Sequence, residues 1–255
     1  MVVTGSIVLN PNGTVNSYIL DEKDKLPPAV VEVIGKTVPA WKFQPISTLD
    51  AGNKPELAKA TMNLRLVASP LPDGSYGISV KGASFGKEES QSKEDISWKS
   101  RNVPLGVAIE SMREGMSGTV YLLLKIDHQG RVADIGIEQV NLRAVASDAQ
   151  MEAWRRGLSR LAMKAANNWS FNVPESGKEA AAEHLMVRVP INFDPNGRTG
   201  GYGQWDAYVP GPVNKIPWSE SNTQETSHSA DAIPNNGIAF QDDHRFVLLN
   251  PPDKG

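Results

Sequence analysis

Asp127-His128 and Glu183-His184 each set a carboxylate beside an imidazole, the pairing that general acid/base catalysis uses. Neither spacing suits the chemistry. Asp127-His128 falls in the polar turn "DHQGR", and neighbouring residues at a strand end point to opposite faces. Glu183-His184 opens an apolar strand pattern. His228, Asp231, Asp242, Asp243 and His244 are scattered near the C-terminus, without the H-x-x-x-H step that sets two imidazoles on one helix face. "DPNGRTGGYGQWD", from Asp194, starts like a calcium loop, but Arg198 and Thr199 stand where an EF-hand needs an oxygen ligand and then glycine. "RTGGYG" lacks both the strand-to-helix setting and the Lys-Ser/Thr of a phosphate loop. The chain has no cysteine, which excludes disulfides, thiolate nucleophiles and Cys-ligated zinc. The expectation is a non-enzyme with no catalytic residue, no metal and no cofactor, whose work is recognition.

The elements around these residues form a repeat. With Gly13 set against Gly130, Val3, Ile7 and Leu9 fall opposite Val120, Leu124 and Ile126, and Val15, Tyr18 and Leu20 fall opposite Val132, Ile135 and Ile137, without a gap. Each copy reads as an alternating strand, a polar turn ("NPNGT", "DHQGR") and a second strand whose apolar spacing of three and then two implies a β-bulge or a twist just after the turn. A helix follows in each. The first starts near Pro27 and Pro28 and uses Val30, Val33 or Ile34, and Val38. The second has Ser147 as N-cap and Gln150 completing a capping box, with Met151, Trp154, Leu158, Leu161 and Ala165 on one face. Then come "WKFQP" and "WSFNVP", whose Trp41, Phe43, Trp169 and Phe171 recur at matching places and are therefore expected in the core rather than at a ligand. A third strand closes each unit: "TMNLRLVA" in the first, Leu185 to Phe193 in the second. An extra helix from Pro104 precedes only the second copy. The fold class is α+β, two tandem β-β-α-β units with an irregular tail.

An apolar share of 40% over 255 residues is enough for packed cores. Formal net charge is −3, and the residues before 196 hold 22 acidic and 22 basic side chains, so there is no electrostatic footprint for nucleic acid. No apolar run reaches the 18 or so residues of a membrane span. The units are expected at 1–82 and 103–195, with a polar linker at 83–102 in which Trp98 packs back. Residues 196–255 form a Pro/Gly/Ser/Asn-rich tail, partly disordered from Ser219 onward. Its Tyr202, Trp205, Tyr208, Trp218, Phe240 and Phe246 argue that part of it docks. Even so, the tail is expected to stabilise the fold less than either Trp41 or Trp169.

The order of G-x-V, apolar strand, Gly130-Arg131-Val132 turn, bulged strand, helix, W-x-F-x-P-like signature and closing strand resembles the C-terminal domain of TonB-type energy transducers. The resemblance covers 103–193, and 3–67 as a copy lacking its first helix; where family members open that helix with Tyr-Pro, this chain has Pro104-Leu105-Gly106. It implies a helix and a targeting or anchoring segment ahead of Met1, a periplasmic setting in a Gram-negative cell, and a protein partner, either an outer-membrane receptor segment or another envelope protein. It also implies capture of that segment by strand addition at the closing strand, here Leu185, Met186, Val187, Arg188 and Val189, with Arg188 facing outward and Pro190 limiting the ladder. The alternative is an assembly adaptor that pairs with a second copy of itself or another envelope protein without transducing energy.

Overall fold

The computed structural model describes residues 1–45, 57–86, 96–101, 116–176, 179–195, 197, 200–219, 232–233, 237–240 and 246–250. In chain order the elements are β1 (Val2–Leu9), β2 (Val15–Leu20), α1 (Pro28–Thr37), β3 (Ala58–Pro70), β4 (Tyr76–Gly86), β5 (Ser97–Ser100), β6 (Gly118–Asp127), β7 (Val132–Leu142), α2 (Asp148–Ala166), β8 (Ser170–Asn172), β9 (His184–Phe193) and β10 (Ala239–Phe240). The class is α+β. One antiparallel sheet has the order β2-β1-β3-β4, a second has β10-β9-β6-β7, and β5 pairs with β8 in a two-stranded ribbon.

Both hairpins turn through a glycine that must be glycine. Gly13 and Gly130 have φ of 82° and 77°, and a Cβ on them would sit 2.0 and 1.9 Å from the carbonyl oxygens of Phe43 and Phe171. That close approach joins the turn to the tryptophan signature: the Phe43 N–H donates to the Gly13 carbonyl at 2.8 Å, and the Phe171 N–H to that of Gly130 at 2.7 Å. After each turn one residue is left over. Val15 pairs with Leu9 and Ser17 with Val8, which strands Asn16; Val132 pairs with Ile126 and Asp134 with Lys125, which strands Ala133. The skipped beat in the sequence is therefore a bulge in both hairpins.

The cores follow the periodicity. Val3, Ile7, Leu9, Met62, Leu64 and Leu66 lie under Val30, Ile34 and Val38 in one; Val120, Leu122, Leu124, Ile126, Val187 and Val189 lie under Trp154, Leu158, Ala162 and Ala165 in the other. The Ser147 hydroxyl accepts from the Gln150 N–H at 3.4 Å, the N-cap that starts α2.

Two expectations change. The linker at 83–102 is strand at both ends: Ala83 to Gly86 complete β4, and Ser97 to Ser100 form β5. Each end delivers an aromatic ring to a tryptophan pair. Phe85 meets Trp41 and Phe43 at centroid distances of 5.7 and 5.0 Å, and Trp98 meets Trp169 and Phe171 at 5.1 and 4.7 Å. The polar composition reflects residues 87–95, which lie outside the described set. The tail is also more than an appendage. Phe246 and Leu248 are buried in the first core, and Ala232 and Ile233 are buried as well. The helix expected from Pro104 lies outside the described residues.

Candidate functional site

β9 is the closing strand of the second sheet, and its register on β6 is continuous from Gly118–Phe193 to Asp127–His184. Leu185, Val187, Val189, Ile191 and Phe193 fall on the core face, which commits that face and fixes the register. The side of β9 away from β6 is partly taken. β10 pairs there antiparallel, Ala239 with Arg188 and Phe240 with Val187. Of the five candidate edge residues, Val187 and Arg188 thus have a cross-strand partner supplied by the tail. Pro190, opposite Tyr121 in β6, has no N–H to offer any added strand.

Arg188 lies on the face opposite the core, but it is not exposed to water. It is 7% exposed, its Nε donates to Glu138 at 3.0 Å (Oε1) and 2.9 Å (Oε2), and its Nη2 lies 2.9 Å from Oε1. The ion pair reaches across β6 because a second bulge in β7 leaves Glu138 unpaired between Ile137 and Gln139. Tail residues close this face. Ile216 sits over Gly136, where a Cβ would meet it at 2.5 Å, and the Asn214 N–H donates to the Glu138 carbonyl at 2.8 Å. The signal was in "VYLLL": Val120 to Leu124 are apolar without alternation, the pattern of a strand covered on both faces, and all five are buried.

The other edge of the sheet is held more firmly. Leu142 and Val209 exchange N–H···O bonds of 3.0 and 2.7 Å, and the Gln139 side chain donates to the Gly211 carbonyl at 2.9 Å. Further along the tail, the Tyr202 hydroxyl accepts from the Thr4 N–H at 3.3 Å and donates to its carbonyl at 3.2 Å. Burial pushes the Tyr202 phenol above its ordinary pKa, against the opposing pull of its hydrogen bonding to Thr4. The Arg143 guanidinium is shared among Asp206, Asn192 and Thr119.

The acid–histidine candidates resolve into turn and strand-end chemistry. The Asp127 carboxylate accepts from the Gln129 and Arg131 N–H groups, both at 2.9 Å, and from the Arg131 Nε at 2.9 Å. Desolvation pushes this carboxyl up, but the Arg131 and Gln129 donors outweigh it and hold the pKa below the ordinary aspartate value. His128 faces the Gln129 amide instead. His184 lies 3.8 Å from an exposed Glu183 and pairs across the sheet with Asp127. Gly197 closes a turn on Asp194. Arg198, Thr199, His228, Asp231, Asp242, Asp243 and His244 lie outside the described residues. Among the described residues, no three His, Asp or Glu side chains cluster as metal ligands would, and no helix is long and apolar enough to cross a membrane.

β9 thus carries a short strand of the chain's own tail on its outer side. A stretch of 103 residues is similar to Protein TonB. The relatives are Protein TonB of two strains of Xanthomonas campestris pv. campestris, each 34% identical over 40% of this chain and 39% of the relative. The chain thus spans about two fifths of the length of the curated relatives it matches. This similarity supports a TonB C-terminal-like domain here. No family model matches the chain, and no solved structure does.

Proposed function

We propose that this chain is a periplasmic, TonB C-terminal-like protein-binding module that captures an extended segment of an outer-membrane receptor by adding it as a strand along Leu185, Met186, Val187, Arg188 and Val189. The observation that carries the reading is the strand-accepting side of β9, where β10 pairs antiparallel with Val187 and Arg188. Main-chain hydrogen bonds would supply affinity there and alternate side chains selectivity. The similarity to Protein TonB supports the partner class and the periplasmic setting. In this reading 1–82 and 103–195 are tandem units of one kind, 196–255 is a tail that straps them, and the chain acts by binding rather than by catalysis. Pro190 confines the added strand to the N-terminal part of β9.

The test is an amide-shift titration of the ¹⁵N-labelled chain with synthetic peptides copying the periplasmic N-terminal segments of outer-membrane receptors. Shifts should cluster at Leu185 to Val189. Unchanged shifts at millimolar peptide, in a folded monomeric chain, would remove strand capture. A peptide-blind chain that self-associates would instead favour the assembly adaptor.

A further inference from the structure

We infer that Ile238-Ala239-Phe240 is an internal occupant of the partner's place on β9, so that an incoming segment must displace it and must present the same apolar-small-apolar alternation antiparallel to β9. The inference rests on the strand-capture reading above and adds the ligand pattern and the competition.

The faces define the pattern. Ile238 and Phe240 pack against the core that holds Val187 and Val189, while Ala239 is paired with Arg188 on the opposite face. Residues two apart in a strand share a face, so an apolar side chain at each outer position extends the core. The middle position stands beside an arginine that is buried and ion-paired with Glu138. A large side chain there would meet that ion pair, and a carboxylate would compete with Glu138 for the guanidinium. Alanine avoids both.

The strength of the hold defines the competition. The β7 edge is tied by the reciprocal Leu142–Val209 bonds, the Asn214 and Gln139 contacts, and Ile216 over Gly136. Among the described residues the β9 edge is held by two paired residues, and Gly237 to Phe240 are only half-buried. Local opening is easiest where few apolar contacts and few ladder bonds must be given up, so β10 is the exchangeable strand. A tethered strand competes at the high effective concentration set by its tether, so a free segment of the same sequence binds more weakly than its intrinsic affinity by the closed-to-open ratio.

The experiment uses the full chain, its Ala239→Pro variant and, as a second variant, Phe240→Ser. Pro removes the N–H of the paired position and Ser removes the anchoring ring. The probe is a fluorescein-labelled synthetic peptide of residues 234–243, with a scrambled control, and far-UV circular dichroism checks that all three chains are folded. Both variants should bind the peptide roughly tenfold more tightly than the parent chain, the release expected from one short strand. In the free variants, whichever of the Val187 and Arg188 amides points to β10 should exchange faster and regain protection on adding peptide, while the one facing β6 stays protected. Equal affinity in parent and variants would overturn the internal-occupant inference, and would leave strand capture standing if receptor-derived peptides still shift Leu185 to Val189. Silence from both kinds of peptide would overturn both readings.

Discussion

Gly130→Ala isolates what the turn-to-signature contact contributes, because the chain contains its own control. Gly130 and Gly74 have nearly equal φ, 77° and 81°, so an alanine at either suffers about the same left-handed strain, ~1 kcal/mol. Their surroundings differ completely. A Cβ at Gly74 meets nothing within 4 Å, whereas one at Gly130 lies 1.9 Å from the Phe171 carbonyl oxygen and 3.0 Å from its carbon. That carbonyl belongs to the strand whose N–H bonds back to Gly130 at 2.7 Å, beside a Phe171 that is 2% exposed. Relief requires β8 to back away. The variant loses one buried backbone bond, about 1–3 kcal/mol, and strains a packed aromatic pair, about another 1 kcal/mol or more. Gly130→Ala should therefore cost about 3–5 kcal/mol and Gly74→Ala about 1 kcal/mol. Gly13→Ala should follow Gly130, since its Cβ would lie 2.0 Å from the Phe43 oxygen. Urea denaturation followed by far-UV circular dichroism and tryptophan fluorescence measures all three. Equal losses at Gly74 and Gly130 would show that the close approach contributes nothing and that only backbone strain matters.

Trp169→Ala should lose about 3–5 kcal/mol, and Trp41→Ala a similar amount, since both rings are nearly fully buried and edge-packed on a third aromatic; a urea midpoint shift equivalent to less than about 1 kcal/mol would contradict this. Arg188→Ala should cost about 3–5 kcal/mol by stranding Glu138 without its cation, while Arg188→Met combined with Glu138→Leu should cost far less; a double-mutant cycle checks it. The depressed Asp127 carboxyl stabilises the fold above the ordinary aspartate pKa, about 3.9, and that contribution is lost as pH falls through the lower folded value. Asp127→Asn should then lower the melting temperature at pH 7 and converge on the parent near pH 3, and a gap that stays constant with pH would refute it. Truncation before residue 196 removes Phe246 and Leu248 from the first core together with Ile233, so it should cost more than Trp169→Ala. A smaller loss by thermal denaturation would return the tail to the minor role its composition suggests.

The legible parts of the fold were those written locally. The two glycine turns, the bulges at Asn16 and Ala133, the Ser147 cap and the inward rows each depend on a few adjacent residues whose spacing has a single physical meaning. The illegible parts are long-range and short. β10 has two residues and β8 three, lengths that carry no period, and their pairing depends on where distant chain arrives. Arg188 was readable as facing away from the core, but its burial was not, because the partner Glu138 is put in reach by a bulge and residues 209–216 lie along β7 from far down the chain. The "ASFG" and "SWKS" ends of the expected linker were masked by the charged stretch between them, although Phe85 and Trp98 were aromatic residues in need of a buried place.

The path of the tail makes the occupant of β9 a matter for both sheets. Tyr202 is fixed to Thr4 of β1, Val209 to Leu142 of β7, and β10 to β9; the chain then returns to the first sheet, where Leu248 bridges Phe43 and the Leu249 N–H donates to the Lys42 carbonyl at 2.7 Å. Six peptide steps separate Phe240 from Phe246, which limits their separation to about 20 Å at full extension. A β10 released from β9 therefore remains tethered close to the edge it left, and returns as soon as a competing segment dissociates. The other end of that short tether, Phe246 to Leu249, is bonded to the segment carrying Trp41 and Phe43, both of which are buried, and Phe43 is bonded in turn to the first hairpin turn. Exchange at β9 therefore leaves the anchorage of Phe246 to Leu249 on the first sheet in place, and the released strand stays within about 20 Å of it.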